Sequence, residues 1–295
     1  MKNVAGTAVV TGGTGGIGLA TARGLAGQGY AVTIVGRDPG RGATARAELA
    51  AAGPAPARFV RADLSSLTGV SDLAATLRAS GPVDVLVNNV GGSYRRHGLT
   101  TDGIEAAFAL SHLSGYLLTE LLVGDMVDRG RGRIVNLSSG AVRVADRTPL
   151  DRVEVSGRYF GFTAYGRAKL ANLAYTTGLA RRLRGTGVTA LSADPGGTAT
   201  DMGRSMRPDS FPWPMKLAFP LIYVNLYRTS VTTAASSSII AATSDQVEPG
   251  SIVGVRGRRR AVDPRATDPA TIAAVTALSR ELCARHLPQE TVGTP

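Results

Sequence analysis

The stretch Thr11-Gly12-Gly13-Thr14-Gly15-Gly16-Ile17-Gly18 constrains the fold of this chain more than any other. It follows the β-branched and apolar run Thr7 to Val10 and leads into the helical pattern Leu19 to Ala26. A strand that ends in glycines and turns directly into a helix lets backbone approach a pyrophosphate. The free N–H groups and dipole of the helix start then favour anionic charge. A glycine triplet alone means little; its place between strand and helix carries the inference that this unit holds a dinucleotide.

The next units repeat the alternation. A strand over Ala31 to Val35 ends in Gly36-Arg37-Asp38, where such a fold meets the adenosine ribose. A carboxylate there suits a free 2′-hydroxyl and an arginine suits a 2′-phosphate. Arg37 comes first, which favours NADP(H) over NAD(H), with Asp38 beside it as the competing ribose reader. A helix over Arg41 to Ala51 and a strand over Arg58 to Arg61 lead to Asp63-Leu64. Asp63 can accept from an adenine amine, or it can cap the run that begins at Ser65. A helix over Leu67 to Ala79 and a strand over Val83 to Val87 end at Asn88-Asn89-Val90-Gly91-Gly92. The small residues there let a cofactor lie on the backbone, and the asparagines can tie strands together.

The spacing of Ile104, Phe108, Leu113, Leu117, Leu121 and Leu122 predicts a long helix over Thr101 to Met126. A strand over Arg133 to Leu137 leads to Ser138-Ser139, and residues 140–159 form an irregular, charged excursion. A strand over Val188 to Ser192 precedes Asp194-Pro195-Gly196-Gly197-Thr198-Ala199-Thr200. Asp201 to Tyr227 mixes prolines with Met, Phe, Trp and Tyr, a composition suited to a substrate lid. A helix near Ser230 to Ala242, a strand over Ser251 to Val255 and a tail helix over about 269–286 complete the chain. With neither a second glycine loop nor a long linker, residues 1–295 read as one α/β domain, a doubly wound parallel sheet with helices on both faces.

Within the apolar run Phe160 to Leu183, Tyr165 and Lys169 stand four apart and project from one helix face. A phenol titrates near 10, and a fixed ammonium beside it draws that value toward the range where acid-base catalysis works best. The chain writes arginine almost everywhere and keeps lysine only at Lys2, Lys169 and Lys216. Retaining lysine here points to a need for a compact ammonium rather than a planar fork.

Composition narrows the alternatives. One cysteine, Cys283, excludes an internal disulfide and a cysteine metal cage, and His97, His112 and His286 lack metal-ligand spacing. Met1-Lys2-Asn3 runs almost directly into a strand, which leaves no secretory signal, and Leu217 to Leu226 is too short to span a bilayer and contains Pro220. A soluble, cytoplasmic protein is expected. The formal charge of +11 and the cluster Arg256-Gly257-Arg258-Arg259-Arg260 invite a nucleic-acid partner. The other arginines are scattered and few aromatics interleave, so arginine bias plus a phosphorylated cofactor explains the balance and no nucleic-acid partner is expected.

Taken in order, the Thr11 to Gly18 loop, Asp63-Leu64, Asn88-Asn89-Val90-Gly91, Ser138-Ser139, Tyr165 with Lys169-Leu170-Ala171-Asn172, and Pro195-Gly196 with Thr200 resemble the short-chain dehydrogenase/reductase family over nearly the whole chain. The retinol-dehydrogenase-like branch is the most similar. That resemblance implies an oxidoreductase acting on a bulky apolar ketone, aldehyde or alcohol. Tyr165 would be the acid-base residue, Lys169 would lower its pKa and hold the nicotinamide ribose, and Ser139 would bind the substrate oxygen. Gly12, Gly16, Ile17 and Gly18 would hold the pyrophosphate, with Thr14 also on the cofactor, and Asp63 and Leu64 the adenine. Asn89, Val90 and Gly91 would take the adenosine side, and Pro195, Gly196, Thr198 and Thr200 the nicotinamide amide and phosphates.

Where the family usually has an asparagine associated with a proton relay, this chain has Ser111, which puts the relay in question. The gap of 26 positions between Ser139 and Tyr165 would add a wall to the substrate pocket. Ser111 motivates a second reading, an epimerase or dehydratase that recycles its hydride, and a non-catalytic dinucleotide sensor is a third. The helices containing Phe108 to Leu122 and Tyr165 to Leu183 suggest a homodimer or homotetramer.

Overall fold

The structure, a computed structural model, describes residues 4–146, 148–154, 157–198, 207–213, 215–217, 219–226 and 229–288. Its strands are β1 (Gly6–Thr11), β2 (Tyr30–Gly36), β3 (Ala57–Arg61), β4 (Val85–Asn88), β5 (Gly132–Leu137), β6 (Val188–Asp194), β7 (Ile252–Gly254) and β8 (Arg259–Arg260). Among the described residues they form one eight-stranded sheet ordered β3-β2-β1-β4-β5-β6-β7-β8. Val10, Ile34, Leu86, Val87, Ile134, Val135 and Leu191 are fully buried, as a parallel sheet covered on both faces requires.

Every strand pair is parallel except the last: β8 runs antiparallel to β7, a departure from the all-parallel expectation. Arg256 at φ 57° and Gly257 at φ 75° reverse the chain within a short connection, which leaves no room for the crossover helix a parallel strand needs.

The helices are α1 (Gly16–Gly27), α2 (Pro39–Ala52), α3 (Leu67–Ala79), α4 (Ala106–Asp128), α5 (Gly161–Arg182), α6 (Phe219–Leu226), α7 (Val231–Thr243), α8 (Pro264–Thr267) and α9 (Pro269–Cys283). Leu25, Leu49 and Ala241 of α1, α2 and α7 pack on one face of the sheet with Val10, Ile34 and Val135. Leu73, Leu117 and Leu173 of α3, α4 and α5 build the larger core on the other face with Leu86 and Ile134.

α3 spans Leu67–Ala79 as expected, but one capping alternative and one helix start come out differently. Asp63 does not cap α3: its Oδ1 accepts from the Ser65 N–H at 3.0 Å and the Ser65 hydroxyl at 2.8 Å, while Ser66 caps the helix through the Gly69 N–H. The long helix begins at Ala106 rather than Thr101, because the Glu105 carboxylate accepts from the Ala107 and Phe108 N–H groups at 2.9 and 2.8 Å. Within α4 the residues Ala109–Leu113 form a π-turn, which hydrophobic spacing does not report. The α4 run is long and apolar enough to cross a membrane, yet 78% of its most apolar window is buried within the protein.

The tail helix α9 lies across α5 and the π-turn. His112 Nε2 meets the Ser279 hydroxyl at 2.7 Å, and a Cβ on Gly178 would stand 2.7 Å from Ile272. Part of the apolar face from which a homo-oligomer was expected is therefore covered by the chain itself.

Candidate active site

The carboxyl ends of β1, β4, β5 and β6 open into a cleft of about 920 Å³. Its first wall is the glycine loop. Gly12 and Gly16 adopt φ of 63° and 53°, and a Cβ on Gly18 would stand 2.3 Å from the Gly12 carbonyl oxygen, so loop and helix touch backbone to backbone. Helix α1 has no side-chain cap and no acidic residue in its first turn. Its leading N–H groups face the cleft without a competing anion, the condition a pyrophosphate needs.

Asn89 fixes this loop from the next strand: its Nδ2 donates to the Thr11 carbonyl at 2.7 Å, while the Thr11 hydroxyl accepts from the Asn89 and Val90 N–H groups at 3.0 and 3.1 Å. Asn88 works one layer deeper, donating to Asn136 Oδ1 at 2.8 Å and the Thr119 hydroxyl at 2.9 Å. The two asparagines tie β4 to β1 and β5, as expected.

At the far end of the cleft Ser139, Tyr165 and Lys169 converge. Tyr165 is 5% exposed and Lys169 2%. Burial pushes the Tyr165 phenol up to about 12; a hydrogen bond from the Ser139 hydroxyl pulls the other way, and the Asp194 carboxylate adds to the rise. Burial also lowers the Lys169 ammonium to about 8. Its Nζ donates to the Leu137 carbonyl at 2.7 Å and stands 5.9 Å from the Tyr165 ring centre. The expectation that Lys169 draws the phenol toward neutrality is thus corrected: desolvation dominates over an ammonium whose hydrogen bond goes elsewhere.

Ser111 does not line the cleft. Its hydroxyl accepts from the Gly92 N–H at 3.0 Å and reaches the Gly92 carbonyl at 3.2 Å, and its own carbonyl accepts from Asn172 Nδ2 at 3.0 Å. The residue clamps the π-turn to the Gly91-Gly92 loop and to α5. His112 faces α9 instead, and burial lowers its imidazole to about 3, with Lys169 contributing.

Among the expected cofactor residues the outcome divides. Val90, Gly91, Pro195, Gly196 and Thr198 line the cleft with Gly12, Thr14, Gly16, Ile17, Gly18 and Asn89. Arg37, Asp38, Asp63 and Leu64 do not. Asp38 caps α2 by accepting from the Arg41 N–H at 3.0 Å, and the Leu64 side chain is buried in the core. Burial works against the Asp63 charge, but the Ser65 hydrogen bonds and the nearby Arg37 outweigh it and hold the carboxyl below its usual range. Thr200 and residues 201–206, 214, 218 and 227 of the anticipated lid lie outside the described residues.

Several residues in and around the cleft escape a reading of the sequence. Arg41 reaches over the glycine loop: a Cβ on Gly15 would stand 2.4 Å from its guanidinium. Asp194 accepts from the Gly196 N–H at 2.9 Å and pairs with Arg260 at 3.1 Å, which fixes the turn after β6. Arg259 pairs with Glu248 at 2.6 Å, so two arginines of the basic cluster are spent within the fold. The 140–159 excursion is pinned by Arg167, 1% exposed, whose guanidinium donates to the carbonyls of Thr148, Pro149 and Arg152. Arg41 and Arg167 carry no motif; only their folded neighbours reveal them.

Comparison with known proteins agrees with this geometry. A family model described as short chain dehydrogenase matches residues 6–210. A Streptomyces sp. (strain C5) protein provisionally named a daunorubicin C-13 ketoreductase is 40% identical over 200 residues, 67% of this chain and 68% of that one. Human retinol dehydrogenase 14 is 35% identical over 267 residues, 85% of this chain and 76% of that one. The structure of a 3-oxoacyl (acyl-carrier-protein) reductase from Agrobacterium tumefaciens C58 with NADP bound superposes with a TM-score of 0.69 at 25% identity, covering 85% of this chain and 93% of that one. With two thirds of its length matched by the family model and the likeness to a retinol dehydrogenase reaching well beyond that span, the chain belongs to the short-chain dehydrogenase/reductase family, in its retinol-dehydrogenase-like branch.

Proposed function

We propose that the protein is an NADP(H)-dependent carbonyl reductase or secondary alcohol dehydrogenase for a bulky apolar compound. The observation that carries this reading is the Tyr165 phenol, buried beside the Ser139 hydroxyl in the same cleft as the bare N-terminus of α1. When bound, the nicotinamide supplies or takes the hydride. Ser139 hydrogen-bonds the carbonyl oxygen, and Tyr165 donates its proton to that oxygen as the carbonyl carbon is reduced. A phenol held near 12 keeps its proton at neutral pH, which suits the reductive direction. The phenolate left behind is stabilised by Ser139 and by the Lys169 ammonium. Phe162, whose ring centre lies 6.4 Å from that of Tyr165, lines the cleft and supplies an apolar wall for the substrate, backed by the buried Phe211 ring 4.6 Å behind it.

The preference for NADP(H) rests on Arg41 over Gly15, Arg37 at the end of β2, and an Asp38 carboxylate engaged in capping. A 2′-phosphate gains charge-assisted hydrogen bonds from such guanidinium groups, whereas a free ribose hydroxyl gains little. In a fluorescence titration NADPH is expected to bind about tenfold or more tighter than NADH, a difference of roughly 1.4 kcal/mol per tenfold. Arg41→Ala should erase most of that gap by weakening NADPH and leaving NADH nearly unchanged. Equal loss for both cofactors would place Arg41 on the shared pyrophosphate, and tighter NADH binding by the unaltered protein would reverse the cofactor assignment.

A further inference from the structure

Among the described residues four arginines line the cleft: Arg41, Arg143, Arg258 and Arg260. Arg41 stands over the glycine loop, Arg260 is paired with Asp194, and Arg258 belongs to the turn between β7 and β8. Of the four, Arg143 alone sits on the turn that Ser139 caps, the 3₁₀ segment Gly140–Val144, at the end of the cleft that Tyr165 and Phe162 also line.

The backbone under Arg143 is held from three sides. The Ser139 side chain accepts from the Ala141 N–H at 3.2 Å, Arg265 donates to the carbonyls of Val142 and Ala145 at 2.8 and 3.4 Å, and Gly166 of α5 lies against the Ala141 carbonyl. The Arg143 side chain itself is exposed and has no hydrogen-bond or ion-pair partner among the described residues. The next acid along the chain, Asp146, pairs with Arg167 at 3.4 Å and accepts from the Thr148 N–H at 3.0 Å. Asp194, the one carboxylate among the described lining residues, is taken by Arg260 and the Gly196 N–H. A guanidinium left in water needs no partner. An apolar substrate packed beside Phe162 and Ser139 strips that water, and a charge so desolvated needs a counter-charge.

We propose that the substrate carries an anionic group, a carboxylate or a phosphate ester, and that Arg143 binds it and so determines specificity. This deepens the proposed function, on which it rests: the carbonyl compound has an apolar body and a charged end. A guanidinium fork matches either anion with two parallel hydrogen bonds. Four residues of 3₁₀ turn advance about 8 Å from Ser139, so the anion belongs several bonds away from the carbonyl rather than next to it. The formal charge of +11 draws such a substrate to the protein.

The probes are three ketones with one phenyl body: benzoylbutyric acid, its methyl ester, and benzoylpropyl phosphate. Calorimetric titration of the protein saturated with NADP⁺ reads their binding without turnover. The acid or the phosphate is expected to bind about tenfold tighter than the ester, and the tighter of the two identifies the anion. Arg143→Gln is expected to close that gap with its thermal transition unchanged, while the ester, which has no charge to lose, changes little. Arg143→Lys should restore part of the gap. Equal affinity for all three ketones would overturn the proposal, as would the absence of binding by any of them. A gap that survives in Arg143→Gln would give the anion to another cation of the cleft and overturn the assignment to Arg143. Turnover with NADPH is measured beside the titrations. An anionic ketone bound through Arg143 but not reduced would leave the anion site standing and remove the carbonyl-reductase reading.

Discussion

Tyr165→Phe is expected to lower kcat for carbonyl reduction by about 10³-fold while leaving NADPH affinity within about twofold. The substitution removes one hydroxyl, the group that hydrogen-bonds Ser139 and would deliver the proton. General acid catalysis is worth roughly 10²–10⁴ in rate, and the middle of that range is taken because the other titrating donor nearby, the Lys169 ammonium, is engaged with the Leu137 carbonyl. The ring stays in place, packed at 6.4 Å from Phe162, so the fold loses about 1 kcal/mol for one buried hydrogen bond. The check is single-turnover kinetics with saturating NADPH, beside a cofactor titration of the same variant. Undiminished turnover would remove Tyr165 from the mechanism. Loss of NADPH binding together with turnover would mean that the phenol serves the cofactor rather than the substrate.

Much of this arrangement was legible in the chain. Short stretches whose local geometry is dictated by their own residues read directly: the glycine loop into α1, and Tyr165 with Lys169 one turn apart on α5. Strand positions read well because a sheet covered on both faces needs continuous apolar runs. What failed depends on contacts from elsewhere in the chain. The π-turn at Ala109–Leu113 adds no residue type that hydrophobic spacing can register, yet it aims Ser111 at Gly92 and His112 at Ser279. The apolar face of α4 and α5 announced burial without saying what covers it, and α9 covers part of it. The Tyr165 pKa was misjudged because helical spacing puts a cation near a phenol but does not reveal that the cation donates to Leu137, nor that both are buried. Arg41 and Arg167 looked like two more residues of an arginine-rich chain until their carbonyl and glycine neighbours were in place.

Gly166→Ala is the second large effect, and two magnitudes of opposite sign decide it. Alanine in a helix interior is favoured over glycine by about 1 kcal/mol, so propensity alone predicts a more stable protein. The added Cβ would stand 2.4 Å from the Ala141 carbonyl oxygen and 3.1 Å from the Ala145 nitrogen, and both are backbone atoms that cannot rotate away. The 3₁₀ segment Gly140–Val144 must therefore retreat from α5, and that segment is capped by the Ser139 side chain through the Ala141 N–H at 3.2 Å. Its retreat draws Ser139 off Tyr165. A displacement on the order of 1 Å at a reacting group costs about 10² in rate, which outweighs anything the helix gains. The expected result is a kcat about 10²-fold lower, with NADPH affinity within about twofold because the glycine loop on the other wall is untouched. Full activity with a higher Tm would show that the strap yields without moving Ser139, and that the close approach at Gly166 serves packing alone.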